Sequence, residues 1–389
     1  MKPTFLSYIL ISTILFGCTQ KRTEPINLES LPKLVKIDNI TLKLDSTTVT
    51  NSENSIEYFT DKGHEYLAKF NKPDQSIKVF SLESGEVAKN IQMSTTGPNA
   101  LIDFDGVPNR FKIISMDSII VYNGVKSELV LINSKAEILK KWEVTDRKID
   151  PDYPVFPLDT YSKIIINEHG LILSGNISWS ETGLPPLALI KWHEDKVSQT
   201  QIPDNFEIYN QYPINNIGTM DLFTSSNTTN NQHEILVSYA LDHRILILDK
   251  DLKVSYKELR NPRLGELKIY GKDIRKINPM TENALYDHVY STGVYHSIIY
   301  DPYRNIYYRI SRIPVPVKEF SELMSKGIPF YSDYSVIAYD EHFNPIGEST
   351  FNNSSLDHRM IFVSKKGLNI KNYPDNEDLL TFTTFVLDK

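Results

Sequence analysis

Three Asp-His pairs are the residues of this chain best suited to chemistry: Asp242-His243-Arg244, Asp287-His288 and Asp357-His358-Arg359. A carboxylate beside an imidazole orients the ring and raises its basicity. Gathered at one mouth of a channel, His243, His288 and His358 could then serve as acid or base, or ligate a metal. The economical reading is that Asp and His suit the turns that precede strands and stand solvated there. The pairs fall at different places relative to the strands, which favours the economical reading, and no metal or other cofactor is expected.

A second concentration is Tyr300 to Arg312, YDPYRNIYYRISR. Tyr303, Arg304, Tyr307, Tyr308, Arg309 and Arg312 belong to the types enriched at binding hot spots, because each brings contact area together with hydrogen bonds. The competing reading is a strand pair with Tyr packed between sheets and Arg at the rim. Even so, the block is the best candidate in the sequence for a recognition surface. Asp103-Phe104-Asp105-Gly106 has the alternating oxygens that open a calcium loop, but its glycine comes too early for an EF-hand, and it reads as a turn. No P-loop, dinucleotide fingerprint, H-E-x-x-H or G-x-S-x-G occurs. The nine histidines lack the close pairing of structural zinc sites. No catalytic residue is assigned on these grounds.

The elements that must position such residues read as β-strands. From about Val35 onward, short apolar or alternating runs are separated by polar turns, with little sustained helical period. An apolar strand, a turn of about four residues and a second strand recur around Glu83-Ser84-Gly85-Glu86, Asn133-Ser134-Lys135-Ala136, His193-Glu194-Asp195-Lys196, Asp249-Lys250-Asp251-Leu252 and Asp340-Glu341-His342-Phe343. In the first four, a fixed offset pairs Phe80 with Val87, Leu131 with Ile138, Ile190 with Val197 and Ile247 with Val254. The spacing is near that of a four-stranded propeller blade.

Two further strands precede each hairpin; for the fourth they are Met220 to Phe223 and Ile235 to Tyr239. A helix-like insertion covers Val317 to Lys326. Three strands end the chain (Met360 to Val363, Leu368 to Ile370, Leu380 to Leu387) and need a fourth, which Ile37 to Leu44 supplies. The expectation is an all-β, six-bladed β-propeller, with seven blades as the alternative, closed by pairing of N- and C-terminal strands so that no sheet edge is left free.

The first residues belong to another regime. Lys2 precedes an apolar run from Phe5 to Phe16 that is too short to span a bilayer and of signal-peptide length. It ends Leu15-Phe16-Gly17-Cys18, which resembles the lipobox of bacterial lipoproteins, apart from the bulky Phe16. Cys18 is the only cysteine, so no internal disulfide can form, and acylation explains an exported lone thiol. The expected organisation is a signal peptide over 1–17, a lipidated tether over 18–33 punctuated by Pro25 and Pro32, and the propeller over 34–389. A net charge of −7 without a basic stripe argues against nucleic acid as a partner.

The lipobox, the tether and the segments YDPYRNIYYRISR, YSVIAYDEHFNPIGE (Tyr334 to Glu348) and FVSKKGLNI (Phe362 to Ile370) resemble a Bacteroidota family of lipoproteins with a domain of unknown function. That family is similar to the TolB-like six-bladed propellers. The resemblance implies an outer-membrane lipoprotein. The neutral and then basic stretch Thr19-Gln20-Lys21-Arg22 implies the periplasmic face, with the cell surface as the alternative. The expected function is non-enzymatic binding or scaffolding of an envelope protein or glycan. The alternative is a hydrolase or lyase acting on a sugar, lactone or peptide in the channel.

Overall fold

A computed structural model of the protein describes residues 27–50, 55–97, 99–101, 110–123, 128–143, 162–167, 170–174, 186–190, 198–201, 225–251, 253–268, 288–325, 332–352, 354–373 and 376–388. Among the described residues, twenty-four strands form six four-stranded antiparallel sheets. Five are blades of four consecutive strands, beginning at Ile56–Asp61, Arg110–Ser115, Ile165–Asn167, Ser225–Thr229 and Val294–Asp301. The remaining sheet is composite. Leu356–Val363, Leu368–Asn372 and Leu379–Leu387 come from the end of the chain, and Leu34–Lys43 from its beginning completes the sheet beside Leu379–Leu387. The expected count of six blades, or seven, is thereby corrected to five blades of contiguous chain plus one closing sheet, because neither chain end holds four strands of its own.

The first strand of each sheet is the inner one. First strands of neighbouring sheets meet around the ring, whereas last strands such as Val87–Gln92 and Val254–Glu258 show an exposed, alternating face. Four antiparallel strands return the chain to the end from which it started. Every inner strand therefore runs in the same sense, and their first residues collect at one end of the central channel, here called the mouth. The hairpins leaving the inner strands lie at the opposite end, the floor.

Apolar burial sits between sheets. Phe59, Phe70, Ile77 and Val79 of the first blade pack with Phe111, Ile119, Val121 and Ile132 of the second. Ile310, Tyr334 and Val336 of the fifth pack with Leu368, Ile370 and Phe385 of the closing sheet. Burying one such large side chain contributes about 1.5–3 kcal/mol, so the stacked faces hold the ring together.

The hairpin turns repeat one piece of chemistry. Asn133, Asp249 and Asp340 each accept two backbone N–H bonds, from residues two and four positions on, at 2.8–3.0 Å. Short Asx side chains complete a turn in this way, and Ala136 and Phe343 take its left-handed position at φ 59° and 64°. In the first blade the turn holds Gly85, at φ 73°. An added Cβ there would stand 2.5 Å from the Thr41 carbonyl oxygen of the closing sheet. Lys43 N–H donates to the Gly85 carbonyl at 2.8 Å, which ties the outer strand of the closing sheet to the neighbouring blade.

The offset within hairpins needs correction. Phe80 does face Val87, but Ile132 rather than Leu131 faces Ile138, and Leu248 rather than Ile247 faces Val254. The tight Asx turns shorten those hairpins by one residue on the first strand. The fourth blade begins with Ser225–Thr229, a polar strand without the apolar signature sought in the sequence; Met220 to Phe223 lies just ahead of it. The Ser226 hydroxyl and Thr228 hydroxyl accept from the backbone N–H groups of Ile298 and Tyr300, at 2.9 and 3.1 Å, so polar side chains here serve as sheet-to-sheet connectors. The helix Val317–Ser325 occupies its expected place.

The end of the expected tether is packed onto the propeller. Leu28 is only 6% exposed, among Ile245, Leu259, Ile298 and Tyr339 of the fourth and fifth blades. Glu29 pairs with Arg263 at 2.6 Å, and Lys33 with Glu348 at 3.2 Å. Cys18 and the signal segment, Asp103 to Gly106, the turn 193–196, Met220 to Phe223 and Asp287 lie outside the described residues.

Candidate functional site

Of the Tyr/Arg block, Tyr307, Tyr308, Arg309 and Arg312 are buried between sheets. The Arg309 guanidinium is 1% exposed. It donates to the carbonyls of Asp242, His243 and Leu259, each at 2.7 Å, and to the Ser238 hydroxyl at 3.0 Å. It also lies 3.4 Å from the ring centre of Tyr295. Arg312 donates to the Val289 carbonyl at 2.6 Å. Tyr307 OH accepts from Asn230 at 3.0 Å. These four residues join blades. They do not form a surface, because strands flanked on both faces by other sheets leave their side chains no solvent.

Tyr303, 42% exposed, and Arg304 do reach the surface, at the floor. Tyr303 OH and Tyr58 OH are 2.7 Å apart, and Arg304 donates to the carbonyls of Lys365 and Lys366 at 3.0 and 2.5 Å. Tyr58 belongs to the first blade and Tyr303 to the fifth, so this contact bridges past the closing sheet at the floor. Beside it, a cleft of about 320 Å³ opens between the closing sheet and the first blade, lined by Ile40, His64, Glu83 and Lys366 among others.

The three predicted histidines stand at the mouth end, on different supports. His243 lies in the turn between the second and third strands of the fourth blade, with Nδ1 2.8 Å from Tyr295 OH. Burial, with Arg260 and Arg309 nearby, pulls its pKa down to about 4. His288 is partly buried just before the inner strand of the fifth blade, and burial again lowers its pKa. His358 is on the inner strand of the closing sheet. His296, on the inner strand of the fifth blade, has its ring centre 4.6 Å from that of His358. The Tyr334 ring centre stands 5.2 Å from that of His358.

Burial, reinforced by Arg359 and Arg312 against the opposing pull of Asp357, brings His358 down to about 4. Burial, with His358, Arg312 and Arg359, holds His296 well below the usual imidazole range. Both rings are thus neutral at pH 7 and able to donate and accept hydrogen bonds at once. Asp357 is fully buried. Burial pushes its carboxyl up, but Arg359, at 2.8 and 3.0 Å, and Lys371, at 3.6 Å, bring it below the usual range.

Sequence reasoning missed the other half of the mouth. Glu57, on the inner strand of the first blade, is buried and paired with Lys112, on the inner strand of the second. Lys163 lies two residues ahead of the inner strand of the third. The side-chain amide of Asn227, from the fourth blade, brackets Lys163: it donates to the Lys163 carbonyl and accepts from its N–H, both at 2.9 Å. The available signal was a single charge inside an otherwise apolar opening strand, as in Ile56-Glu57-Tyr58-Phe59, Phe111-Lys112-Ile113 and Lys163-Ile164-Ile165. Such a position puts the charge at the channel or in the core, and burial without a partner is costly.

The crystal structure of a DUF4221-family member from Bacteroides vulgatus superposes with a TM-score of 0.73 at 22% identity, covering 92% of this chain and 99% of that one. A Bacteroides fragilis protein described as exported superposes with a TM-score of 0.52 at 11% identity, covering 94% and 97%. At these identities the likeness shows the fold. No curated protein matches the sequence. The family model for the domain of unknown function DUF4221 matches residues 32–350, most of the propeller, and the chain belongs to that family.

Proposed function

We propose that this protein is a lipid-anchored binding propeller of the outer membrane, facing the periplasm, that takes an envelope glycan or protein segment at the mouth of its channel. The lipobox-like Leu15-Phe16-Gly17-Cys18 supports the anchor, since acyl chains on Cys18 would hold the mature chain at the membrane. One observation carries the preference for binding over catalysis: the two carboxylates described on the mouth halves of the inner strands are already ion-paired, Glu57 with Lys112 and Asp357 with Arg359 and Lys371. A general base or glycosidic nucleophile needs a carboxylate free to meet substrate. The imidazoles of His296 and His358 stand beside one another on inner strands, and an imidazole is a group that can hydrogen-bond hydroxyls and amides.

The test has two parts. Cys18→Ala should abolish palmitate labelling and release the protein from the membrane; a variant still labelled would remove the anchor. Purified mature protein should retain fragments of its native envelope glycan or peptides unaltered in mass, and His358→Gln or His296→Gln should weaken retention. Fragments returned cleaved by the native protein but intact by His358→Gln would establish the hydrolase or lyase reading in its place.

A further inference from the structure

The cleft at the floor, about 320 Å³, falls at the lower end of the volumes of small-molecule sites, roughly 300–1,000 Å³, and is walled by hairpin turns of two different sheets. Its base is aliphatic: Ile40 and Leu82 belong to the apolar packing between the closing sheet and the first blade. Both walls are fixed. In the first blade, Lys62 and Gly63 take the two left-handed positions of a tight hairpin, at φ 50° and 87°, and His64 and Glu65 follow them. In the closing sheet, Ser364 and Gly367 exchange backbone hydrogen bonds, at 2.9 and 3.1 Å, around Lys365 and Lys366. The two turns are also tied to each other. The Lys365 N–H donates to Glu65 Oε1 at 3.0 Å, and its ammonium to the Gly63 carbonyl at 3.2 Å. Tyr58 OH donates to the same Oε1 at 2.7 Å. Glu65 is thereby held through one oxygen, while its Oε2 accepts no hydrogen bond among the described residues.

The walls differ in charge. The first blade lines the cleft with the carboxylates of Glu65 and Glu83, and the closing sheet with the ammonium of Lys366. Glu83 meets His64 at 3.3 Å and Lys366 meets Asp38 at 2.6 Å, all four side chains being exposed. Exposed pairs of this kind contribute little and leave their charges open to a ligand. A neutral sugar would leave the opposed charges unused, and no Tyr, Trp or Phe among the described residues lines the cleft for it to stack on. We propose that the floor cleft is a second binding site, which takes a small zwitterion of the amino acid or dipeptide class. The ligand ammonium meets Glu65 and Glu83, its carboxylate meets Lys366, and its aliphatic side chain covers Ile40 and Leu82. Walls already fixed in place reduce the ordering that binding costs. The site is separate from the mouth and does not rest on the function proposed there.

Binding is read by calorimetry and thermal shift on the mature protein, with L-leucine, the dipeptide Ala-Leu, N-acetyl-leucine, leucinamide and glucose at matched ionic strength. Leucine or Ala-Leu should bind and raise Tm, and the tighter of the two sets the length of the ligand. N-acetyl-leucine and leucinamide each lack one charge and should bind about tenfold more weakly or less; glucose should not bind. Lys366→Gln and Glu65→Gln should each weaken zwitterion binding about tenfold. Lys366→Gln alters an exposed side chain, so it should fold like the native chain and bind leucinamide no worse than the native chain does. Failure of both leucine and Ala-Leu to bind would overturn the site, as would equal binding of the acetylated and amidated forms, binding of glucose in their place, or undiminished binding by Lys366→Gln. If His358→Gln abolishes leucine binding while Lys366→Gln leaves it intact, the zwitterion sits at the mouth and the cleft site falls. If envelope fragments fail to bind at the mouth but leucine binding depends on Lys366, the cleft site stands and the function proposed for the mouth falls.

Discussion

Arg309 lies flat over Tyr295, its guanidinium carbon 3.4 Å from the ring centre, while its nitrogens reach carbonyls of the neighbouring blade. Cation, ring and carbonyls together rivet the fourth blade to the fifth. Lysine has neither the planar fork nor the reach to serve three carbonyls. Both Arg309→Lys and Arg309→Met are expected to cost about 2–4 kcal/mol, because they strand buried carbonyls. Urea unfolding measures this, and a loss within about 0.5 kcal/mol, the usual range for surface positions, would show that the rivet is unimportant.

Closure of the ring depends on Leu34–Lys43. Leu34, Ile40 and Leu42 are buried, and the strand covers the edge of Leu379–Leu387. Deleting 34–43 should lower Tm by about 5 °C or more and promote aggregation through the bared edge. Calorimetry with light scattering checks both, and an unchanged Tm would mean that the ring does not need its composite sheet.

The segment 27–33 should behave as part of the folded domain. Leu28→Asp would bury a carboxylate among Ile245, Leu259 and Tyr339 and is expected to release the segment. Trypsin cleavage at Lys33 should then accelerate markedly, while the propeller itself stays resistant. Equal cleavage rates would show that Leu28 does not hold the segment.

Acid should loosen the fifth blade and closing sheet before the carboxylates titrate. His358 falls to about 4 in the fold from 6.5, so the unfolded chain takes up a proton first as pH drops. Its contribution is complete above pH 6.5, declines between about 6.5 and 4, and changes no further below that. The groups facing it are His296, Tyr334, Asp357, Arg312 and Arg359; Asp357, held below the usual carboxylate range, loses its own contribution only at lower pH. Stability should drop by about 1–3 kcal/mol from pH 7 to pH 4.5, with a shallower slope in His358→Gln. Urea midpoints across that range decide it, and parallel slopes would show that His358 is protonated alike in both states.

The sequence alone determined most of the strands, their hairpin turns and the pairing of the two chain ends, because those features are local. Period-two apolar patterning and Asx side chains act within a few residues, and the three terminal strands visibly lack a fourth. Positions such as Asn133, Asp249 and Asp340 announce their turns by residue type alone. Only the tertiary structure decided which polar residues meet. Arg309 and Arg312 looked like surface anchors in a Tyr/Arg run, and packing between sheets made them connectors. Glu57, Lys112 and Lys163 are spread over more than a hundred positions, and His296 and His358 over sixty. The ring brings them to one mouth because every inner strand starts at the same end. Separation along the chain carries no record of that convergence, which is set by the return of the chain after each set of four antiparallel strands.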